Sequence, residues 1–137
     1  MAELIKLEIV TPQEIVVDEQ VQTARAPGSD GEFGVLVGHT PFLSTLRVGS
    51  IQYLDQNGEE RYVFVSGGFA EVLPDKITVL AEAAERRRDI DGDRVRDALV
   101  RAQQRLEEKH ADTDIARAEL AMARAAARLK LIDSHGS

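Results

Sequence analysis

The apolar residues of the first part of the chain follow the two-residue period of β-strands. Ile5, Leu7 and Ile9 alternate with Lys6 and Glu8, as in a strand with one buried face. Further short apolar runs are separated by turn residues, a pattern typical of an antiparallel sandwich or barrel. These runs cover residues 15–17, 21–26, 33–37, 51–53, 62–65, 69–73 and 77–81.

Glycine and proline positions indicate where these strands turn. Asn57-Gly58 tolerates the positive φ of a tight hairpin, and Pro74-Asp75 predicts a second turn. Ser66-Gly67-Gly68 is expected to interrupt a strand, with the glycines marking a bulge or a close approach of two backbones.

After residue 86 the apolar period changes from two residues to three and four, which predicts two helices. Asp89 or Asp91 is expected to cap the first helix, and Asp112 or Thr113 the second, after a break at 109–112. A short connection makes the helices antiparallel neighbours. The apolar positions are Val95, Ala98, Leu99, Ala102 and Leu106, followed by Ile115, Ala118, Met122, Ala125, Leu129 and Ile132.

These patterns predict an antiparallel β-sandwich or barrel over residues 1–86 and a helical hairpin over residues 87–137. The first part has 6 basic and 14 acidic residues, and the second has 11 basic and 10 acidic. The apolar positions of the hairpin are mostly alanine, so the hairpin buries little surface and needs a second surface for stability. We therefore expect a compact body and a regulatory arm that changes position.

Composition excludes several classes of function. The 137 residues include no cysteine, so disulfides and zinc–thiolate sites are excluded. The net charge of −7 argues against nucleic acid as a partner. No apolar run is long enough to cross a bilayer, and the first residues lack the pattern of a signal peptide. The sequence predicts a protein of the bacterial cytoplasm.

Six arginines recur at one spacing on the two predicted helices. Within each helix the three arginines are separated by seven and four residues, which places them in one stripe. Pairing with Glu107, Glu108 and Glu119 would make each stripe an ordinary solvated face. Alternatively, the guanidinium groups form a site for phosphate or carboxylate. The stripes are Arg94, Arg101 and Arg105, then Arg117, Arg124 and Arg128.

The residues do not predict an active site. The chain has no phosphate-binding glycine loop, no nucleophile elbow, and no metal-ligand spacing of histidines. The aspartates at 89, 91 and 93 resemble a calcium loop only superficially, because Gly92 is misplaced and Val100 stands at the twelfth position. Helix capping explains these aspartates better than calcium binding does.

Several stretches closely resemble the epsilon subunit of F-type ATP synthases. They are residues 34–43 (GVLVGHTPFL), 66–72 (SGGFAEV), 77–86 (ITVLAEAAER) and 117–121 (RAELA). The resemblance extends over about residues 4–132 in the same order. It implies a β-sandwich of about ten strands followed by two antiparallel helices.

The resemblance also implies a location and a set of partners. The sandwich of this family lies at the foot of the central stalk, against the gamma subunit and the membrane ring of c subunits. The loop with His39, Thr40, Pro41 and Phe42 resembles the gamma-facing region. The helices inhibit ATP hydrolysis by extending toward acidic loops of the alpha/beta catalytic head, where Arg105 and Arg117 are expected to make contact. The protein would be peripheral on the cytoplasmic face of the cell membrane.

Bacterial members of the family bind ATP in the folded hairpin through an Ile/Leu-Asp-x-x-Arg-Ala motif. Ile90-Asp91-Gly92-Asp93-Arg94-Val95 matches it, with Val95 in place of alanine. The resemblance implies ATP as a regulatory ligand and no required cofactor. Its implied site is Glu85, Ile90, Asp91, Arg94, Arg101, Arg124 and Arg128.

The resulting hypothesis is a non-catalytic rotor subunit that couples rotation of the c-ring to ATP synthesis and restrains hydrolysis. The alternative is a free-standing ligand-binding β-sandwich adaptor whose helical hairpin is a docking strip. The adaptor would not co-purify with gamma and c subunits.

Overall fold

The computed structural model describes residues 3–108 and 114–134 of the chain. The chain forms two compact units, Met1–Arg86 and Arg87–Ser137. In the described residues the first unit is built from strands and the second from helices.

Seven strands form the described part of the first unit, and three of them have 14 residues each. They build one hydrogen-bonded sheet. Their bounds are β1 Ile5–Val10, β2 Ile15–Gly28, β3 Gly31–Val35, β4 Phe42–Asp55, β5 Glu60–Leu73, β6 Lys76–Ala81 and β7 Ala84–Arg86.

The predicted β-sandwich followed by two helices is confirmed, but the described residues form seven strands and not the ten or so that the resemblance implied. The long strands continue through irregular positions at which the sequence pattern predicted breaks. The runs at 15–17 and 21–26 both belong to β2, whose register with β4 shifts twice. The runs at 62–65 and 69–73 both belong to β5, so Ser66-Gly67-Gly68 does not interrupt the strand. There the neighbour of β5 changes from β6 to β7.

The sheet closes on itself and encloses one core. Its order is β1-β6-β5-β4-β2-β3, and β1 also pairs with β2. β1 runs parallel to β6 and antiparallel to β2. The alternating residues Ile5, Leu7 and Ile9 are completely buried, as the period of two predicts. Burial of these side chains against the facing strands is the main stabilising contribution.

The second unit consists of a short 3-10 helix and two α-helices. The 3-10 helix covers Arg87–Asp89, α1 covers Gly92–Glu108 and α2 covers Ile115–Ser134. Asp91 caps α1, because its Oδ1 accepts the Arg94 N–H at 3.2 Å. Asp114 caps α2 in the same way, at 3.0 Å from the Arg117 nitrogen. The predicted caps Asp112 and Thr113 lie outside the described residues.

The helices pack along a seam of small residues. Val95 and Ala102 of α1 and Ala118 and Ala125 of α2 are buried. The other predicted seam residues are half-buried, with one exception. Ile115 is 48% exposed, because it begins α2 beyond the level of the last residue of α1. The predicted seam also omitted Leu131, which is 2% exposed.

Candidate functional site: the arginine face of the hairpin

Each arginine of the two stripes stands directly before a seam position. On α1, Arg94 and Arg101 precede the buried Val95 and Ala102. Successive residues of an α-helix are rotated by about 100°, so every arginine is displaced from the seam in the same rotational sense. The same relation holds for Arg105 before Leu106, Arg117 before Ala118, Arg124 before Ala125 and Arg128 before Leu129.

An ion pair between α1 and α2 shows which side of each helix lies on the same face of the hairpin. Arg96 follows Val95, Asp133 follows Ile132, and their side chains are 3.9 Å apart. Residues that follow seam positions therefore share one face of the hairpin. A two-fold rotation relates antiparallel helices, so residues that precede seam positions share the opposite face. We name this opposite face, with the six arginines of the two stripes, the arginine face.

The arginines of the two helices also lie at matching positions along the hairpin axis. Leu106 and Met122 line one groove near the connection, and Arg96 pairs with Asp133 near the other end. The rise per residue is equal in both helices, so Arg101 lies level with Arg128. By the same argument Arg105 lies level with Arg124. The backbone positions of these four arginines thus form two level pairs across the hairpin.

Among the described residues, no carboxylate lies within 4.0 Å of the guanidinium groups of Arg94, Arg101, Arg105, Arg117 or Arg124. In the part of the chain that the structure describes, the expected pairing of these five arginines with Glu107, Glu108 and Glu119 is not observed. Glu107 and Glu119 follow seam residues and lie on the opposite face. Like charges are therefore concentrated on one surface, which favours binding of a polyvalent anion.

The first turn of α1, near the arginine face, is held by hydrogen bonds within the chain. The Asp91 carbonyl accepts the Val95 N–H at 3.1 Å, and its carboxylate caps the helix. Ile90 is half-buried, and its N–H bonds the Arg87 carbonyl at 3.2 Å. Val95 is 8% exposed in the seam, so its extra bulk is taken up by helix packing.

The implied ATP-site residues do not all belong to one unit. Ile90, Asp91 and the four arginines lie in the helical unit, whereas Glu85 lies on β7, opposite Phe64 of β5. The structure thus brings together the arginine part of the predicted site.

The predicted partner loop joins β3 to β4 and carries an aromatic cluster. The ring of Phe42 lies 4.9 Å from that of Phe33 in an edge-to-face arrangement, and 5.1 Å from that of His39. Leu36 and Leu43, on either side of the loop, are 61% and 62% exposed. Thr40 and Pro41 are exposed between them. Apolar surface is therefore exposed at this loop.

Sequence reasoning missed two arginine contacts. Arg86 donates to the Tyr53 hydroxyl at 3.2 Å and to Glu19 at 3.0 Å. Arg87 donates from Nε to the carbonyl of Leu131 at 3.2 Å. The run of three arginines at 86–88 was the available signal, but its partners are too distant in sequence for any spacing rule.

A closed β-sandwich followed by two long helices defines a known class of two-part chains. The model of the ATP synthase delta/epsilon chain β-sandwich domain matches residues 4–87. The model of the delta/epsilon chain long α-helix domain matches residues 88–133. The chain therefore belongs to the delta/epsilon chain family of ATP synthases.

Curated relatives narrow this assignment. An ATP synthase epsilon chain of Desulforapulum autotrophicum is 57% identical over 98% of this chain and 99% of its own length. That of Desulfatibacillum aliphaticivorans is 65% identical over 83% of this chain and 81% of its own length. These relatives support the ATP synthase interpretation and not the adaptor alternative.

Solved structures share the fold. A chain of the Euglena gracilis mitochondrial ATP synthase superposes with a TM-score of 0.77 at 24% identity, covering 90% of this chain and 78% of that chain. A chain of the Tetrahymena thermophila central stalk and c-ring has a TM-score of 0.59 at 11% identity, over 94% and 96%. Neither described helix is long and apolar enough to cross a membrane.

Proposed function

We propose that the chain is a non-catalytic rotor subunit that couples rotation of a membrane c-ring to ATP synthesis. Family membership over both units carries this proposal. Its partners are the gamma subunit, the c-ring and the alpha/beta catalytic head. It is held at the cytoplasmic face of the membrane through these partners. The chain itself turns over no ATP.

The gamma subunit is the partner of the loop that contains His39, Thr40, Pro41 and Phe42. The exposed Leu36 and Leu43 beside this loop would be covered in the complex, and burying apolar surface of this kind drives association. Leu43→Glu should reduce co-purification with gamma and c subunits from detergent-solubilised membranes. Val100→Glu, at a half-exposed valine of α1, is the matched control. Equal recovery of the two variants would contradict this surface.

The arginine face of the folded hairpin is the proposed ATP site. Arg94, Arg101, Arg124 and Arg128 offer fixed forks of N–H donors that match phosphate oxygens. Their concentration on one face, with no carboxylate of the described residues paired to Arg94, Arg101 or Arg124, supports this proposal. Asp91 and the neighbouring backbone would contact the base.

ATP binding would act as a switch. A ligand that binds only the folded hairpin lowers the population of an extended one, in proportion to its differential affinity. In the extended state the same arginines, with Arg105 and Arg117, would contact acidic loops of the catalytic head and inhibit hydrolysis. Scarce ATP then favours inhibition.

Calorimetric titration of ATP into the isolated protein tests the site. We expect saturable binding that is lost in Arg94→Ala and Arg124→Ala. Lys130→Ala is the matched control, because it removes one positive charge from α2 on the opposite face. Binding that falls equally in all three variants would reflect net charge alone and would contradict a site on the arginine face. Absence of binding at millimolar ATP would remove the sensor and leave the rotor role in place.

A further inference from the structure

The C-terminal end of α2 needs stabilisation that its own sequence does not provide. The last four carbonyls of a helix have no partner within the helix, and the negative end of its dipole favours a cation. The last turn of α2 contains no basic residue. Asp133 adds a negative charge at this end.

Two arginines from outside α2 supply what this helix end lacks. Arg87 donates to the carbonyl oxygen of Leu131 at 3.2 Å and to that of Ile132 at 3.5 Å. Arg96 of α1 pairs with the Asp133 carboxylate at 3.9 Å. Leu131 is 2% exposed, so the Arg87 contact lies beside a buried position. The end of α2 is thus joined to the segment that begins the helical unit.

The neighbouring arginine is bound within the other unit. Arg86 donates to the Val16 carbonyl at 3.1 Å and to Glu19 at 3.0 Å, both on β2. Consecutive residues therefore hold the chain on either side of the boundary between the units. Arg88, the next residue, is exposed. This contrast provides an internal control for any variant of Arg87.

We propose that Arg87 is a positioning residue that fixes the base of the hairpin. By binding the end of α2, it keeps α2 beside the start of α1 and holds the cross-hairpin arginine pairs level. The effect on nucleotide binding rests on the proposed ATP site. The effect on the hairpin does not, because every contact that carries it is present without a ligand. Release of Arg87 separates the helices at their base.

Spin labels on the full chain test this directly. The chain has no native cysteine, so Asp97→Cys and Lys130→Cys, both at exposed positions near the base, give one defined label pair. Pulsed electron paramagnetic resonance then measures the distance distribution between the helices. Far-UV circular dichroism verifies that each variant retains its helices. Tyrosine fluorescence during urea unfolding reports on the sandwich, because both tyrosines are in β4 and β5.

In the labelled parent we expect one narrow distribution without ATP. Arg87→Ala should raise the population of longer distances by roughly tenfold, the lower end of the ratio expected for loss of a charge-assisted hydrogen bond. Arg88→Ala should match the parent, and Arg87→Lys should restore much of the short distance. The urea midpoint of the sandwich should stay unchanged in all three variants.

Adding ATP to the labelled variants tests the positioning role of Arg87 separately from the proposed ATP site. If ATP binds the closed hairpin, it should return the Arg87→Ala distribution toward that of the parent and bind this variant more weakly. If ATP has no effect while Arg87→Ala still opens the base, the ATP site is wrong and the positioning role stands. Identical distributions for Arg87→Ala and Arg88→Ala would overturn the positioning role.

Discussion

The Tyr53 hydroxyl lies inside the sandwich between a carboxylate and a guanidinium group. It donates to Glu19 Oε2 at 2.8 Å and accepts from Arg86 at 3.2 Å. Tyr53 is 1% exposed, and burial, followed by the hydrogen bond to Glu19, raises its pKa from 10.0 to about 12. These three side chains join β2, β4 and β7, so the last strand of the first unit depends on a buried polar group.

The shifted pKa of Tyr53 makes the stability of the sandwich sensitive to alkaline pH. Because the pKa is higher in the folded state, the unfolded state releases this proton first as pH rises. The contribution of Tyr53 to the free energy of unfolding should therefore be constant below about pH 10 and fall between about pH 10 and about pH 12. Urea unfolding across this range measures the fall, and Tyr53→Phe should reduce its slope. An equal slope in the variant would contradict the assignment.

Below pH 10 the same variant measures the contribution of the hydroxyl. Removing it leaves Glu19 and Arg86 paired with each other at 3.0 Å but without their third partner. We expect a loss of about 1–2 kcal/mol in unfolding free energy. Tyr62→Phe is the control, because it removes a phenolic hydroxyl from a half-buried position on β5. That hydroxyl donates to Glu60 at 2.7 Å on the exposed surface. A smaller loss in Tyr53→Phe than in Tyr62→Phe would contradict a stabilising network.

At the scale of elements, β5 depends on glycine where its neighbour changes from β6 to β7. Gly68 has φ +133°, and a Cβ at this position would overlap the carbonyl oxygen of Leu80. The close approach predicted from Gly67-Gly68 is therefore confirmed. Gly68→Ala should destabilise the sandwich by about 2–4 kcal/mol.

Gly34→Ala is the matched control, because its φ is not in the positive range and its nearest neighbour would be Arg25 Cγ at 3.8 Å. We expect a change of less than about 0.5 kcal/mol from this exposed substitution. Urea midpoints of the two variants measure the difference. Equal destabilisation would mean that the loss of any glycine, and not the close approach of β5 and β6 at Gly68, determines the effect.

Helix capping gives a second prediction at this scale. Asp91→Ala removes the carboxylate that accepts the Arg94 N–H, and should cost the helical unit about 1 kcal/mol. Asp91→Asn retains an accepting oxygen and should cost less. Amide hydrogen exchange in the first turn of α1 measures both effects. Equal exchange in the two variants would show that the cap does not stabilise this turn.

The elements differ in how far the sequence predicts them. All seam residues of α1 could be predicted, because the buried and half-buried positions from Val95 to Leu106 follow the helical period. Leu131 of α2 could not, because α2 also contacts the 3-10 helix, a neighbour that a two-helix seam does not include. The strand count was too high because β5 passes through Gly67-Gly68 unbroken. The contacts of Arg86 depend on residues 33 and 67 positions away, which no local pattern encodes.

At the scale of the whole molecule, the two units differ in the kind of surface they offer. The sandwich unit is strongly acidic overall and has exposed apolar residues beside its β3–β4 loop. The helical unit is nearly neutral, but its charge is divided between an arginine face and a face carrying Glu107, Glu119 and Asp133. Under the proposed function, the sandwich is the attached part of the chain and the hairpin is the part that binds anions reversibly.

The central claim is that the helical arm inhibits ATP hydrolysis. The hydrolysis rate of the reconstituted catalytic head tests it most directly. The head with gamma and the full chain is compared with the same assembly after deletion of residues 89–137. At low ATP we expect the full chain to inhibit hydrolysis and the truncated chain to release it. The inhibition should weaken as ATP rises toward saturation of the hairpin. Equal rates for the two chains at every ATP concentration would contradict an inhibitory arm.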